Sequence, residues 1–233
     1  CTAKNQPGKN YSNGCGKPKR LFILTKKRVA IIDLGTNTFN LLVADKSGPH
    51  VTRIFSTKEG VALGLGGINE NKIPADARSR AMQALHNFCA TSKEMNADVI
   101  YAFGTSALRN ASNANELVEQ AKKELNLHIE IISGNREAEL IYKGVASGYT
   151  FRKEGLIMDI GGGSTEFILA GTQGMITARS FEIGVSRIYQ LFEFSDPMNA
   201  ADCQQVIDYL NQATGSFFDT IRYNVDKLEN IVD

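Results

Sequence analysis

Apolar and polar positions divide most of the chain into short apolar runs and longer segments with helical spacing. Runs rich in Val, Ile and Leu that end in turn residues predict buried strands, whereas apolar residues spaced three and four apart predict amphipathic helices. The predicted strands are 28–35, 39–45, 50–58, 98–104, 128–133, 155–161, 165–171 and 175–184. The predicted helices are 74–95, 113–126, 136–149, 185–193 and 199–223. Because strands and helices alternate, the predicted class is α/β with mixed sheets flanked by helices.

One predicted hairpin carries three consecutive glycines, although glycine weakens regular structure by about 0.5–1 kcal/mol per residue. Its sequence is "LIMDIGGGSTEFILAG", residues 156–171. The segment "DIGGGSTEFILA" (159–170) aligns with "DLGTNTFNLLVA" (33–44), so that Asp33 matches Asp159. Each copy reads as a strand, an Asp-x-Gly turn and a second strand. This internal repeat predicts two related lobes whose hairpin turns meet in one cleft.

Such turns are suited to binding phosphate. Glycine permits positive φ and close approach of the backbone, and consecutive N–H groups form a concavity that binds anions. Side chains of Thr36, Asn37, Ser164 and Thr165 add donors. The aspartates repel a phosphate, so they require a divalent cation or an oriented water between them. A single Asp-x-Gly turn is more often a plain hairpin, but two at matching positions favour a phosphate site.

Five motifs in the same order resemble the exopolyphosphatase / guanosine pentaphosphate phosphohydrolase (Ppx/GppA) family, within the actin-like ATPase superfamily. They are "AIIDLGTNTFNLLVAD" (30–45), "AFGTSALRNASN" (102–113), "ISGNREAELIYKGV" (132–145), "MDIGGGSTEF" (158–167) and "RSFEIGVSRI" (179–188). The resemblance covers residues 28–190 well. It implies two ribonuclease-H-like lobes at 28–130 and 131–233, the second incomplete. Residues 1–27 are rich in Gly, Asn and Lys and lack apolar periodicity, so they are predicted to be a disordered basic leader.

The resemblance also implies an activity and its residues. The activity is release of terminal phosphate from polyphosphate with Mg²⁺ or Mn²⁺, or hydrolysis of the 5′-terminal phosphate of guanosine pentaphosphate. Glu137 matches the acid that activates water, and Glu166 a second essential acid near the metal, with Asp159 beside it. The matching phosphate-binding residues are Asp33, Gly35, Thr36, Asn37, Arg109, Gly161, Gly162, Gly163, Ser164 and Thr165. Ala62 stands where members often carry a basic residue, which weakens one expected substrate contact.

The residues themselves leave the roles of these charges open. Glu137 begins a predicted helix, where the helix dipole favours an acid without any catalytic role. Glu166 reads either as an outward strand acid or as a buried acid beside the phosphate turn. Arg136, Lys143 and Arg187 are each interpreted as surface charges, although together they would suit a channel for a polyanion.

Composition limits the partners and the cellular location that are expected for the chain. Residues 1–28 hold eight Lys and Arg and no acid, so the remainder carries a net charge of −7 and does not suit nucleic acid. No apolar run reaches about 18 residues, so no membrane span is expected. The four cysteines show no metal or disulfide spacing and are expected to be free thiols in a bacterial cytoplasm. The chain begins without Met and stops at the strand-like segment "ENIVD", so we expect a fragment or a mature lipoprotein with an N-terminal Cys, of which the fragment is favoured. A homodimer is compatible with the sequence.

Three other functions stay open. The motifs do not separate polyphosphate from guanosine pentaphosphate as the substrate. An actin-like kinase or chaperone is disfavoured, because the third motif is phosphatase-like and no adenosine-binding segment is visible. A non-catalytic fragment that binds polyphosphate or the alarmone is the alternative outside enzymes.

Overall fold

The structure is a computed structural model that describes residues 26–225. Most of the predicted leader and the strand-like segment "ENIVD" (229–233) lie outside the described residues. Within residues 26–225 no helix is long and apolar enough to cross a membrane. Of the cysteines in this range, Cys89 is buried and Cys203 is exposed, and both are free.

The first half of the described chain forms a five-stranded mixed sheet in the order β3-β2-β1-β4-β5. Strands β1, β2 and β3 form an antiparallel meander, while β4 and β5 run parallel to β1. The elements are β1 (Lys27–Leu34), β2 (Thr38–Ser47), β3 (His50–Gly60), α1 (Ala75–Glu94), β4 (Val99–Gly104), α2 (Ser106–Asn110), α3 (Ala114–Leu125) and β5 (Ile129–Ile131). Helix α1 buries Ala77, Ala81, Leu85 and Phe88, the apolar positions that predicted it. They pack with β1 and β2 in one hydrophobic core.

The second half forms a three-stranded antiparallel sheet in the order β6-β7-β8. Its elements are α4 (Gly134–Gly148), β6 (Gly155–Ile160), β7 (Thr165–Gly171), β8 (Gly174–Phe181), α5 (Val185–Leu191) and α6 (Ala200–Val225). Every residue of the central strand β7 is buried. Phe167 and Phe181 pack with Phe217 of α6 in a separate aromatic core. The predicted lobe boundary at 130/131 falls within β5.

The registers of the two hairpins confirm the internal repeat. Asp33 pairs with Asn40 in the β1–β2 hairpin, and Asp159 pairs with Glu166 in the β6–β7 hairpin. These are the positions that the sequence alignment matches, and the same offset relates the other paired positions of the two hairpins. Residues opposite each other in an antiparallel pair share one face of the sheet. Each Asp therefore has a polar partner on its own face, an amide in the first hairpin and a carboxylate in the second.

All thirteen predicted elements are present, and their ends differ by a few residues. The sequence analysis missed α2, because five residues are too few to show helical spacing. This short helix matters, since it carries Ser106 and Arg109 from the end of β4 toward the second hairpin.

Candidate active site

The two Asp-x-Gly turns lie directly against each other. A Cβ atom on Gly163 would lie 2.5 Å from Thr36 Oγ1, and one on Gly162 would lie 3.0 Å from the Asn37 side chain. The Ser186 hydroxyl donates to Asn37 Oδ1 at 2.6 Å, which adds a direct bond between the two halves. The contact confirms the predicted convergence of the two turns and accounts for glycine at 163, because any side chain there would force them apart.

The second turn directs its carbonyls toward the start of α5. The carbonyls of Gly161, Gly162 and Gly163 accept from the backbone N–H groups of Val185, Ser186 and Gly184 at 2.9–3.2 Å. In a trans peptide the C=O and the following N–H point in opposite directions. The N–H groups of residues 162–164 therefore point away from α5 as a consecutive set, the arrangement that forms an anion-binding concavity.

The first turn is held in the same way. The Asn37 carbonyl accepts from Val61 N and Ala62 N at 2.9 and 2.8 Å, and the Thr36 carbonyl accepts from Gly64 N at 3.1 Å. The N–H groups of residues 37 and 38 therefore point away from the 61–64 segment. Ala62 adopts φ +48°, an unusual conformation for a residue with a side chain.

Positive φ is not the reason for the glycines in the two turns. Among the described residues, the glycines with positive φ are Gly48, Gly66 and Gly174, so this part of the sequence interpretation is wrong. Close approach of the backbone is the reason instead. A Cβ on Gly35, for example, would lie only 2.7 Å from the Thr38 carbonyl oxygen.

Four carboxylates face this junction and influence one another. Burial raises the pKa of Asp33, and the charge of Asp159 raises it further, against the hydrogen bond from Asn40. Burial raises the pKa of Glu137, with smaller contributions from Asp33 and Asp159. Burial raises the pKa of Glu166 to about 7, with Glu137 and Asp159 among the causes. Four acidic side chains thus lie close together at the junction, and Arg109 offsets part of their charge by lowering the pKa of Glu137.

Glu166 is a buried acid, so the alternative of an outward strand residue is excluded. It is 2% exposed and accepts a hydrogen bond from the Ser180 hydroxyl at 2.6 Å. Glu137 lies in the first turn of α4, whose N-terminus is capped by Ser133. Both a helix N-terminus and a partner cation therefore act on Glu137.

That partner is Arg109. Its Nη1 donates to Glu137 Oε2 at 2.9 Å and to the Ile132 carbonyl at 3.2 Å. Both side chains are largely buried, at 17% exposure each. The pair lies across the two halves of the molecule, because Arg109 is on α2 and Glu137 on α4.

The sequence analysis missed Glu182 and misjudged Arg187. Glu182 follows β8 and binds Arg109 at 3.2 Å and Arg187 at 3.0 Å. Arg187 is buried rather than a surface charge, and it also donates to the carbonyls of Gly163 and Ile68. Arg136 and Lys143 do lie on the surface, where both pair with Glu139. Glu182 and Arg187 lie within the fifth motif (179–188), but only their pairing across the fold distinguishes them from other charges.

The predicted hydroxyl donors differ in what they contact. Thr36, Ser164 and Thr165 are all buried. The Thr165 hydroxyl donates to the Ile183 carbonyl at 3.4 Å, which occupies it within the second lobe. Ser164 hydrogen-bonds to Glu166. Asn37 is exposed at the junction, where it accepts from Ser186. The backbone N–H groups of the turns are thus better suited than these hydroxyls to donate hydrogen bonds to a phosphate.

The carboxylate oxygens at this junction are the type of ligand that a hard divalent cation prefers. Asp159 and Glu166 lie opposite each other on one face of the β6–β7 pair and are oxygen ligands, and Mg²⁺ is commonly held by one or two carboxylates together with substrate phosphates. Within residues 26–225 no group of three or more His, Cys, Asp or Glu is arranged to hold a metal ion.

Comparison with known proteins decides the family. A model of the Ppx/GppA phosphatase family matches residues 42–231, most of the chain. The chain belongs to this family. The match confirms the resemblance carried by the five motifs, and with it the actin-like α/β fold with sheets flanked by helices.

Solved structures of Ppx/GppA relatives agree with this assignment. The chain is 37% identical to an exopolyphosphatase from Cytophaga hutchinsonii, with a TM-score of 0.82, over 84% of this chain and 64% of that one. It is 26% identical to a Ppx/GppA family member from Aquifex aeolicus, with a TM-score of 0.66, over 81% of this chain and 61% of that one. The chain therefore spans less than two thirds of the length of these relatives.

Proposed function

We propose that this protein is an exopolyphosphatase-type hydrolase that releases the terminal phosphate of inorganic polyphosphate. The observation that carries the proposal is the contact between the Gly162–Gly163 turn and the Thr36–Asn37 turn. It brings two sets of backbone N–H groups to one junction, beside Arg109 and four carboxylates. Family membership and the exopolyphosphatase relative support the same chemistry.

In the proposed reaction a water oxygen attacks the terminal phosphorus in line with the bridging oxygen. The P–O bond to the bridging oxygen breaks, and the products are phosphate and a chain shorter by one unit. Glu137 accepts the proton of the water, for which its raised pKa suits it better than an ordinary carboxylate. N–H groups of the two turns and Arg109 stabilise the charge on the phosphoryl oxygens.

Mg²⁺ or Mn²⁺ is part of the proposal. Asp159 and Glu166 would hold the ion, which would neutralise charge on the phosphate when bound. Burial is the main cause of the raised pKa of Glu166, and the charges of Glu137 and Asp159 raise it further. A dication beside Asp159 and Glu166 would offset this repulsion, which supports the assignment.

The test is phosphate release from polyphosphate by the purified chain with Mg²⁺, comparing Glu137→Gln with Glu139→Gln. Glu139 is a matched control, because it lies two residues further along α4 and pairs only with surface Arg136 and Lys143. We expect Glu137→Gln to lose activity by roughly 10²–10⁴-fold and Glu139→Gln to keep it. Full activity in Glu137→Gln would exclude Glu137 as the base.

Guanosine pentaphosphate remains the alternative substrate, and adding it to the polyphosphate assay distinguishes the two. If polyphosphate is the substrate, guanosine pentaphosphate is hydrolysed more slowly and inhibits weakly. Tight polyphosphate binding without turnover by the unchanged chain would instead favour the non-catalytic alternative.

A further inference from the structure

Glu182 lies where the two halves of the molecule meet. It follows the last strand of the second sheet, yet three of its partners, Ser106, Arg109 and Asn110, belong to α2 of the first half. The Ser106 hydroxyl donates to Glu182 Oε2 at 2.6 Å, and Arg109 Nη2 donates to Glu182 Oε1 at 3.2 Å. Arg187, from its own half, donates to Glu182 Oε2 at 3.0 Å.

The partners of Glu182 surround the second phosphate turn. Ser106 Oγ would lie 2.6 Å from a Cβ on Gly163, so the hydroxyl lies beside that glycine. Arg187 Nε donates to the Gly163 carbonyl at 3.2 Å. Glu182 therefore fixes the spacing between α2 and the turn.

Arg109 is shared between two carboxylates. Nη1 binds Glu137 and Nη2 binds Glu182, so the planar guanidinium has a fixed orientation at the cleft. Without Glu182, nothing described holds Nη2, and a guanidinium can then turn to form a two-pronged pair with the remaining carboxylate. Arg109 would then be withdrawn from the position where a phosphate arrives.

We infer that Glu182 is a positioning residue, which acts on phosphate binding through Arg109. The inference rests on the proposed function. Its side chain is 40% exposed, and its oxygens accept from Ser106 and Arg109 of α2 and from Arg187 of α5. A residue in this role affects substrate binding only as long as Arg109 is present.

A double-mutant cycle tests this dependence. The proteins are the unchanged chain, Glu182→Gln, Arg109→Ala and the double variant, with Glu193→Gln as an exposed control outside the network. For each we would measure kcat and KM for polyphosphate hydrolysis, the Kd for polyphosphate, and the unfolding temperature. Glutamine keeps the shape of glutamate and one acceptor oxygen, which serves either Arg109 or the Ser106 and Arg187 donors, while its NH2 group faces the other set. We therefore expect Glu182→Gln to fold, with a lower unfolding temperature.

The expected result is a rise of about tenfold in KM and Kd for Glu182→Gln, with kcat changed much less, because misorientation of one binding group can cost up to about 10²-fold. In the Arg109→Ala background the same change should have no further effect on either constant. Glu193→Gln should behave as the unchanged chain.

Equal effects of Glu182→Gln with and without Arg109 would overturn the inference, as would a loss that follows the unfolding temperature alone. Either result leaves the proposed function standing if the unchanged chain hydrolyses polyphosphate. If the unchanged chain neither binds nor hydrolyses polyphosphate, the proposed function fails first and the inference with it.

Discussion

Glu166 combines deep burial with two carboxylate neighbours, and this combination has a cost in stability. Its pKa is raised to about 7 from an ordinary value of about 4.5. The folded state therefore binds a proton more tightly than the unfolded state. Below about pH 4.5 Glu166 is protonated in both states and does not lower the free energy of unfolding. As the pH rises from there toward 7, the buried acid lowers the free energy of unfolding progressively.

Glu166→Gln should therefore stabilise the protein at neutral pH while impairing its activity. A shift of about 2.5 pKa units corresponds to roughly 3 kcal/mol, which sets the upper limit of the gain in unfolding free energy at pH 8. Below about pH 4.5 the variant and the unchanged chain should be equally stable. Urea unfolding in metal-free buffer across this range measures the difference. Glu130→Gln, an exposed acid on β5, is the control, and a pH-independent difference for Glu166→Gln would contradict the expectation.

For single residues, the sequence predicts which side chains lie near the proposed phosphate site, but it does not predict their hydrogen-bond and ion-pair partners. Glu166 follows the glycine turn by three residues, so its proximity is a local consequence of the chain. Glu182 and Arg187 pair with groups as distant as Ser106 and Ile68, and no local pattern contains that information.

At the scale of single elements, the turn after β6 depends on glycine for its contact with the other half. A Cβ on Gly163 would lie 2.5 Å from Thr36 Oγ1 and 2.6 Å from Ser106 Oγ, distances that real Cβ atoms do not adopt. Both neighbours belong to the first half of the molecule. A methyl group at this position must therefore separate the turns or displace α2.

Gly163→Ala should cost about 1–3 kcal/mol of unfolding free energy, as expected for overpacking, and should reduce phosphate release at least tenfold. The matched control is Gly144→Ala on α4, where a Cβ would meet nothing within 4 Å. In a helix interior that substitution should stabilise by about 0.5–1 kcal/mol. Thermal or urea unfolding of the two variants measures both changes. Equal effects of the two substitutions would show that the close contact at Gly163 is not rigid.

Elements were predictable because their signals are local. The periodicity of α1 and the apolar runs of β1 and β7 each lie within one segment, and the tertiary structure agrees with them. Helix α2 has no such signal, and its position depends on β4 ending beside the second turn. The requirement for glycine was predictable, while its physical reason, close approach rather than positive φ, depends on contacts between segments distant in sequence.

At the scale of the whole molecule, the first strands of the two repeated hairpins differ in their neighbouring strands and in their exposure to solvent. Strand β1 lies between β2 and β4, and its Ile32 and Leu34 are fully buried. Within the described residues β6 pairs only with β7, and the equivalent Met158 and Ile160 are 55% and 56% exposed. A cavity of about 720 Å³ opens beside this strand and is lined in part by Val145 and residues 148–158.

An unpaired strand edge with exposed apolar side chains is a template for association with another chain. We therefore expect the 233-residue chain to self-associate as its concentration rises. The double variant Met158→Lys and Ile160→Lys should stay monomeric over the same range, because inward or edge lysines oppose strand pairing. Light scattering coupled to size-exclusion chromatography measures the mass directly.

The control for this prediction is Leu65→Lys, which removes a residue that is 58% exposed in the segment after β3 and does not belong to β6. If association proceeds through β6, this variant associates as the unchanged chain does. A reduction as large as that of the β6 variant would mean that general surface hydrophobicity, rather than the strand edge, drives association. A chain that is monomeric at every concentration would show that β6 is protected even though only β7 pairs with it within residues 26–225.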